Sequence, residues 1–176
     1  ANNVALGSQA LKVNTTASCN TAVGKSAMAA TTTGCRNVAV GAGALKTNTT
    51  GDANVAIGRE ALGVATTADN NTSVGFDSLQ ANTTGAENTA VGKDALFANT
   101  TGCQNTAVGL SSMFTNTTGC QNVAMGRQSL HDNTTGKCNV ALGYNSLFNN
   151  ETADNNTAVG THALFANTTG ANNAAV

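Results

Sequence analysis

Five cysteines are the residues of this chain best suited to covalent chemistry. All of them fall at the last two positions of a repeated pattern, at Cys19, Cys35, Cys103, Cys120 and Cys138. If successive repeats stack about 5 Å apart, this spacing predicts disulfides between neighbouring repeats, with Cys19 paired to Cys35. Cys120 then pairs with either Cys103 or Cys138, and the remaining thiol stays free or joins another chain. Disulfides would indicate an oxidising, extracellular compartment, and zinc is the less favoured alternative because no histidine shares the cluster.

A second set of candidate residues consists of asparagines in Asn-Thr-Thr or, once, Asn-Glu-Thr. Each matches the acceptor pattern for N-linked glycans, which would coat one edge of the protein. In the alternative interpretation, each asparagine caps a turn while the threonine hydroxyls form hydrogen bonds along the stack. These glycosylation candidates are Asn14, Asn48, Asn82, Asn99, Asn116, Asn133, Asn150 and Asn167.

Large aromatic rings recur at one position in five successive repeats of the second half of the chain. If they face water, they form an apolar strip that binds a sugar, a surface or a sister chain. Alternatively, they form a ladder packed inside an assembly or against the neighbouring turn. This aromatic stripe comprises Phe97, Phe114, His131, Phe148 and Phe165.

Acidic residues occupy one position in three successive repeats, at Glu60, Asp77 and Asp94. Solvent screening and neighbouring cations account for this arrangement, and a calcium site is the less favoured alternative. No histidine or nucleophile accompanies the carboxylates, and His131 and His162 occupy different repeat positions. The sequence therefore predicts that the chain is not an enzyme and has no metal, no cofactor and no catalytic residue.

The element that must position all these residues is a 17-residue repeat without insertion or deletion. Its signature Asn-x-Ala-Val-Gly recurs throughout, with the glycine at Gly7, Gly24, Gly41, Gly58, Gly75, Gly92, Gly109, Gly126, Gly143 and Gly160. A constant period indicates a solenoid in which each repeat is one coil and equivalent residues form columns. We expect an all-β fold, a parallel β-solenoid (β-roll) of ten coils, with residues 1–176 forming one array.

Each coil is numbered here from the asparagine of the signature, so that coil six is 88–104. Positions two to four alternate in the manner of a short strand, and the glycine at position five permits a corner. Leu or Met at position nine predicts a second short strand, and Asn-Thr-Thr-Gly predicts a turn with left-handed backbone. The expected core is formed by the large side chains of positions four and nine. An amphipathic helix is rejected because each interior glycine would cost about 1 kcal/mol relative to alanine.

Composition excludes several partners. The net charge is −1, with neither a basic stripe nor an acidic block, so nucleic acid is not expected as a partner. No run of about 18 apolar residues occurs, so no membrane span is expected. The first and last residues occupy the same phase of the repeat, at 1–6 and 171–176. This phase predicts an uncapped array that belongs to a longer fibre or stacks end to end with copies of itself.

The segments Asn3 to Leu11 (NVALGSQAL) and Asn54 to Leu62 (NVAIGREAL) resemble the head repeats of YadA-like trimeric autotransporter adhesins, and related repeats occur in phage tail fibres. This resemblance covers all ten copies and implies a left-handed β-roll of three laterally associated chains that binds host matrix or surfaces. The repeat of this chain is longer than is usual in that family, because Asn-Thr-Thr-Gly adds a larger turn.

The sequence thus predicts a structural, non-enzymatic fibre or adhesin-stalk segment at a cell or virion surface. Its expected partners are copies of itself, laterally as a homotrimer or end to end in a filament. The first alternative is an adhesin or tail-fibre module that binds a carbohydrate or host surface. The second alternative is an ice-binding protein, which is disfavoured because the Asn-Thr-Thr segments lack Thr-x-Thr spacing.

Overall fold

A computed structural model describes residues 2–176, and within these residues it contains eleven short strands and no helix. Each strand begins at position two of a coil. The strands are β1 (Val4–Leu6), β2 (Thr21–Val23), β3 (Val38–Val40), β4 (Val55–Ile57), β5 (Thr72–Val74), β6 (Thr89–Val91), β7 (Thr106–Val108), β8 (Val123–Met125), β9 (Val140–Leu142), β10 (Thr157–Val159) and β11 (Ala174–Ala175).

All eleven strands form one parallel sheet in sequence order. Neighbouring strands pair in register with the residue 17 positions further on, as Thr89 pairs with Thr106 and Val91 with Val108. The prediction of an all-β parallel solenoid with one 17-residue repeat per coil is confirmed. No helix in the described part of the chain is long and apolar enough to cross a membrane.

Backbone hydrogen bonds between coils continue outside the strands. The amide of Thr100 donates to the carbonyl of Thr117 at 2.9 Å, and Met113 donates to Ser129 at 3.0 Å. The coils are therefore bonded to one another along most of their circumference, which satisfies backbone groups that would otherwise be buried without partners.

The core is narrow and consists mainly of one large side chain per coil. Leu or Met at position nine is fully buried from Met28 to Leu147, beside the alanine of position three and the Ala or Ser of position eight. Burial of each such side chain contributes about 1.5–3 kcal/mol. The prediction that position nine points inward is confirmed.

Position four does not belong to this core, so the sequence prediction for it was wrong. Side chains alternate along a strand, and the buried residue in each strand is the one at position three. Position four therefore faces outward, with Ile57 40% and Met125 45% exposed. Alanine faces inward because the space between the strand and the Leu column admits only a small side chain.

The predicted second strand is also absent from the described residues, where positions six to eleven form turns. Leu96 at position nine has φ +51°, a left-handed conformation that a strand does not contain. Positive φ recurs at positions five, seven, nine and seventeen. The sequence had predicted left-handed backbone at the Asn and Gly of Asn-Thr-Thr-Gly, and this prediction was wrong, because neither residue has a positive φ. Each left-handed non-glycine residue costs about 1–2 kcal/mol, which the hydrogen bonds and packing between coils must offset.

The asparagine of position one forms a continuous buried ladder, here called the first Asn ladder. Asn105 Oδ1 accepts a bond from the amide of Asn122 at 3.0 Å, and its Nδ2 donates to Asn88 Oδ1 at 3.1 Å and to the carbonyl of Gly119 at 2.8 Å. Each asparagine thereby joins its own coil to the coils on both sides. This role explains why position one is always asparagine.

Candidate functional site

The outward side of the sheet carries an exposed apolar strip, defined as the side chains of positions two and four. Position two is Val or Thr and is mostly half-buried, whereas Val40, Ile57, Val91 and Met125 of position four are 36–45% exposed. The strip runs along the whole sheet because every strand repeats it. Sequence reasoning missed this surface because it assigned position four to the core. The invariably small residue at position three was the signal that only this position faces inward.

Charged side chains border the apolar strip on both sides. On one side, position six carries an exposed cation in every second coil, at Lys25, Arg59, Lys93 and Arg127. On the other side, positions sixteen and seventeen carry more acids than cations, including Asp52, Asp69, Glu87 and Asp154. Position seven adds the acids Glu60, Asp77 and Asp94 beside the cations of position six. The first border therefore has four cations and three acids, and the second has two cations and four acids.

Apolar and aromatic residues separate the cations of position six. Phe76 is 42% exposed, with the guanidinium of Arg59 5.1 Å and the ammonium of Lys93 5.8 Å from its ring centroid. The Arg127 guanidinium lies 5.7 Å from the Tyr144 ring centroid. Such cation–π contacts hold the long side chains against the rod.

The asparagines of position twelve form a second buried ladder, here called the second Asn ladder. Asn99 Nδ2 donates to Asn82 Oδ1 at 2.8 Å and to the carbonyl of Gly102 at 3.0 Å. The Thr100 hydroxyl donates to the carbonyl of Thr117 at 3.0 Å. These bonds support the turn-capping interpretation of Asn-Thr-Thr. Six of the eight glycosylation candidates are fully buried, so a glycan there would have to displace these hydrogen bonds. The six are Asn48, Asn82, Asn99, Asn116, Asn133 and Asn150.

The second Asn ladder is interrupted at Thr31 and at Ala65, and the first of these gaps predicts a stabilising substitution. Asn14 Oδ1 and Thr31 Oγ1 are buried without hydrogen-bond partners. In Thr31→Asn, the new Nδ2 would donate to Asn14 Oδ1, as Asn99 Nδ2 donates to Asn82 Oδ1. We expect the free energy of unfolding to rise by about 1–2 kcal/mol in urea denaturation.

Thr31→Val is the matched control for this substitution. It removes the unpaired hydroxyl but supplies no donor for Asn14 Oδ1, so we expect a smaller gain. Equal stability of Thr31→Asn and Thr31→Val would contradict the ladder as the source of the effect.

Of the five cysteines, the structure brings two thiols together. Cys103 Sγ donates to Cys120 Sγ at 2.9 Å. Cys138 Sγ instead donates to Gln121 Oε1 at 3.5 Å, Cys35 Sγ accepts from the amide of Ser18 at 3.4 Å, and Cys19 is exposed. Cys19 and Cys35 occupy positions seventeen and sixteen, so they are not vertical neighbours. All five are free thiols in the structure, and their disulfides stay a prediction.

This arrangement predicts that Cys120 pairs with Cys103 rather than Cys138 on oxidation. The hydrogen bond to Cys120, followed by burial, raises the pKa of Cys103 to about 11. Because the thiolate is the nucleophile, alkylation of Cys103 by iodoacetamide should still accelerate between about pH 9 and pH 11. Diamide, which takes two electrons and two protons from the two thiols, should yield a peptide pair containing Cys103 and Cys120 in mass spectrometry. A dominant pair containing Cys138 would contradict the assignment.

The aromatic stripe is a stack of rings on the outside of the rod. Centroid distances are 5.1 Å for Phe97 to Phe114, 5.4 Å for Phe114 to His131, 4.7 Å for His131 to Phe148 and 5.3 Å for Phe148 to Phe165. Interplanar angles of 2–21° show that each ring covers its neighbour's face. The stack supports the ladder interpretation, and it leaves mainly ring edges for a ligand.

The acidic column of position seven lies beside cations. Burial raises the pKa of Asp77 above its ordinary value of 3.8, with further contributions from Asp94 and Glu60 that Arg59 and Lys93 oppose. Lys93 Nζ lies 3.2 Å from Asp94 Oδ2. The described residues contain no group of three or more His, Cys, Asp or Glu side chains arranged to hold a metal ion.

The raised pKa of Asp77 predicts a pH-dependent gain from Asp77→Asn. The folded chain holds this proton to higher pH than the unfolded chain, so stability falls as pH rises through the folded pKa. Asparagine removes this penalty and suits the φ of +54°. We expect the variant to be more stable than the native chain at about pH 7 and no more stable at about pH 3 in urea denaturation.

Glu151→Gln, at exposed position thirteen, removes the same charge away from the acidic column and is the control. A gain of equal size in Glu151→Gln would show that net charge, and not the environment of Asp77, causes the effect.

The two histidines have different surroundings. His131 Nδ1 lies 2.6 Å from Asp132 Oδ1, between the rings of Phe114 and Phe148. His162 Nε2 lies 3.4 Å from Asn145 Nδ2. The neighbours of both rings are thus aromatic, amide or carboxylate groups.

Comparison with protein-family models, with curated proteins and with solved structures gave no match. Function must therefore be inferred from the geometry of the chain itself.

Proposed function

We propose that this chain is a structural, non-enzymatic segment of an extracellular fibre or adhesin stalk. The observation that carries the proposal is the unbroken in-register stack of coils, bonded both within and outside the strands. At a spacing of about 4.8 Å per coil, ten coils form a rod about 48 Å long. In such a solenoid each coil contacts only its neighbours, so length is gained by adding coils without redesigning the fold.

Lateral association of identical chains through the apolar strip is the second part of the proposal. A continuous exposed apolar surface bordered by polar residues is typical of an interaction site. The core of one rod contains one large side chain per coil, so covering the strip would add the burial that a single rod lacks. A second copy fits as the occupant because its strip has the same period and the same flatness. The resemblance to trimeric adhesin repeats implies three chains.

The charged borders favour a parallel arrangement of the associated chains. When parallel rods meet face to face, the position-six cations of one chain lie opposite the more acidic border of the other. An antiparallel pair would instead place like borders opposite each other, which is unfavourable. Parallel association therefore brings equivalent chain ends together.

Analytical ultracentrifugation of the full chain tests the proposal. We expect an oligomer that dissociates in the double variant Ile57→Asp, Val91→Asp, which places charges within the strip. The control is Thr84→Asp, Thr118→Asp, at exposed position fourteen outside the strip, and it should leave the oligomer intact. Resonance energy transfer between amino-terminal fluorophores should be strong if the chains are parallel. A monomeric native chain would refute lateral association, while short uniform rods in negative-stain images would still support the structural role.

The alternative function is a module that binds a carbohydrate or host surface. The aromatic stripe gives it little support, because most ring faces are covered by other rings. A cleft in the surface of coil three gives better support to a binding function.

A further inference from the structure

The regular surface of the rod is interrupted by a notch in coil three. Coil three has Ala42 at position six and Gly43 at position seven. It is the only one of the ten coils in which neither position carries a side chain that extends beyond Cβ. The coils above and below carry Lys25 and Glu60 there. A cleft of about 250 Å³ results, lined by Lys25, Ser26, Ala42, Gly43, Lys46 and Glu60.

The backbone of coil three forms the floor of this cleft. Gly43 is buried and donates its amide to the carbonyl of Lys25 at 2.9 Å, and the amide of Glu60 donates to the carbonyl of Ala42 at 3.0 Å. The side chains missing from coil three leave open space over Ala42, whereas the Glu60 carboxylate takes the place of a side chain on Gly43. The remaining cleft therefore fits one edge of a compact ring.

The Glu60 carboxylate lies between two glycines. A Cβ on Gly43 would lie 2.7 Å from Glu60 Cδ, and a Cβ on Gly63 would lie 2.9 Å from Glu60 Oε2. The absence of both side chains lets the carboxylate lie against the backbone, where its oxygens line the cleft. Carboxylate oxygens accept hydrogen bonds from ligand hydroxyls.

The charges around the cleft are not paired with one another. The ion pairs recorded within residues 2–176 join other residues and leave out Lys25, Lys46 and Glu60. Two exposed ammonium groups and one half-buried carboxylate thus face the same small volume. An anionic group would pair with the two ammonium groups, and hydroxyl groups on the same compact ring would donate to the carboxylate.

We propose that this cleft binds a uronic acid, a pyranose ring that carries a carboxylate. The carboxylate lies between Lys25 and Lys46 in charge-assisted hydrogen bonds, and ring hydroxyls donate to Glu60 and bond to Ser26. A neutral sugar lacks the anion for the two lysines, and a simple anion lacks the hydroxyls for Glu60. This inference goes beyond the structural role, because a rod without the cleft would be equally stiff.

Titration of the isotope-labelled full chain with glucuronate, followed by NMR amide shifts, tests the inference. We expect saturable shifts at Gly43 and Lys46, and at least about tenfold weaker binding of glucose and of acetate. An oligouronate that binds more tightly than glucuronate would assign the site to an acidic polysaccharide, and equal affinity would assign it to the free sugar acid. Equal binding of acetate and glucuronate, or the absence of saturable shifts, would overturn the inference.

Matched variants separate the cleft from general charge effects. Lys25→Gln and Lys46→Gln should each weaken glucuronate binding about tenfold. Lys137→Gln removes the same charge at position sixteen and should leave binding unchanged. Gly43→Asn fills the notch with the residue that coil nine carries as Asn145, whose φ of +54° shows that asparagine adopts this backbone. Retained binding in Gly43→Asn, with an unchanged circular dichroism spectrum, would contradict the site. The sedimentation of these variants reports separately on the rod and its assembly.

Discussion

Gly92→Ala should lower the free energy of unfolding by about 3–5 kcal/mol, a loss that this thin core cannot readily absorb. Gly92 has φ +136°, a region that is essentially restricted to glycine. An added Cβ would also lie 2.5 Å from the carbonyl oxygen of Gly109 in the next coil. That oxygen belongs to the neighbouring backbone, so relief of the clash requires two coils to move apart. Urea denaturation followed by circular dichroism measures the loss.

Gly102→Ala is the control for this prediction. Position fifteen has no positive φ at its glycines and already holds alanine in three coils, at Ala17, Ala68 and Ala153. An added Cβ on Gly102 would meet the carbonyl of Gly119 and the side chains of Asn99 and Asn116. Coil nine accommodates Ala153 at this position and keeps the bond from Asn150 to its carbonyl at 3.0 Å, so we expect some loss, but less than in Gly92→Ala. If the two variants were equally stable, the requirement for glycine at the corner would be disproved.

Asn105→Ala should destabilise the chain by about 3–5 kcal/mol, through the first Asn ladder. The Asn105 side chain takes part in four hydrogen bonds, two as donor to Asn88 and Gly119 and two as acceptor from Asn122. Alanine would leave the amide of Asn122 buried without its partner, whereas the carbonyl of Gly119 would keep one donor, Asn116 Nδ2 at 3.1 Å. An unsatisfied buried group costs about 1–3 kcal/mol, and each further lost hydrogen bond costs about 0.5–1.5 kcal/mol. Urea denaturation of the full chain gives the value.

Two further variants show whether the ladder is the cause. Asn105→Asp keeps an acceptor for the amide of Asn122, but it places a buried carboxylate against Asn88 Oδ1 and the carbonyl of Gly119, so it should be at least as harmful at neutral pH. Thr106→Val, at the next residue, exchanges two side chains that both occur at position two and should be nearly neutral. A mild effect of Asn105→Ala, close to that of Thr106→Val, would mean that the ladder contributes little to stability.

The period of the repeat was sufficient to predict the architecture. Any stack with a 17-residue period places Gly92 over Gly109 and Thr89 over Thr106, so the columns follow without knowledge of side-chain direction. The aromatic stack follows for the same reason, because rings one coil apart are held at a spacing suited to face-to-face contact.

Side-chain direction was less predictable. In a strand of three residues, an apolar residue at position four and an alanine at position three are both suitable for a core, and hydrophobicity alone favours Val91 over Ala90. The narrow cross-section decides the outcome, because the single buried Leu96 leaves room only for Ala90. The left-handed φ of Leu96 could likewise not be predicted from the sequence, since leucine is not typical of that conformation.

No sequence motif marks the cleft in coil three, because the cleft arises where two positions lack long side chains. Ala42 and Gly43 are unremarkable in sequence, and they form a notch only because Lys25 and Glu60 extend from the adjacent coils. Knowledge of the columns was therefore needed before these residues could be recognised as neighbours.

Residues 17 positions apart lie directly above one another along the rod. Distances between spin labels at Lys25→Cys and Arg127→Cys, six coils apart, measure this directly once the native cysteines are replaced by serine and the labelled chain is diluted with unlabelled chain. We expect a narrow distribution centred at about 29 Å, rising by about 4.8 Å for each coil added between the labels. A broad distribution, or a distance that does not grow in proportion to the number of intervening coils, would contradict this arrangement.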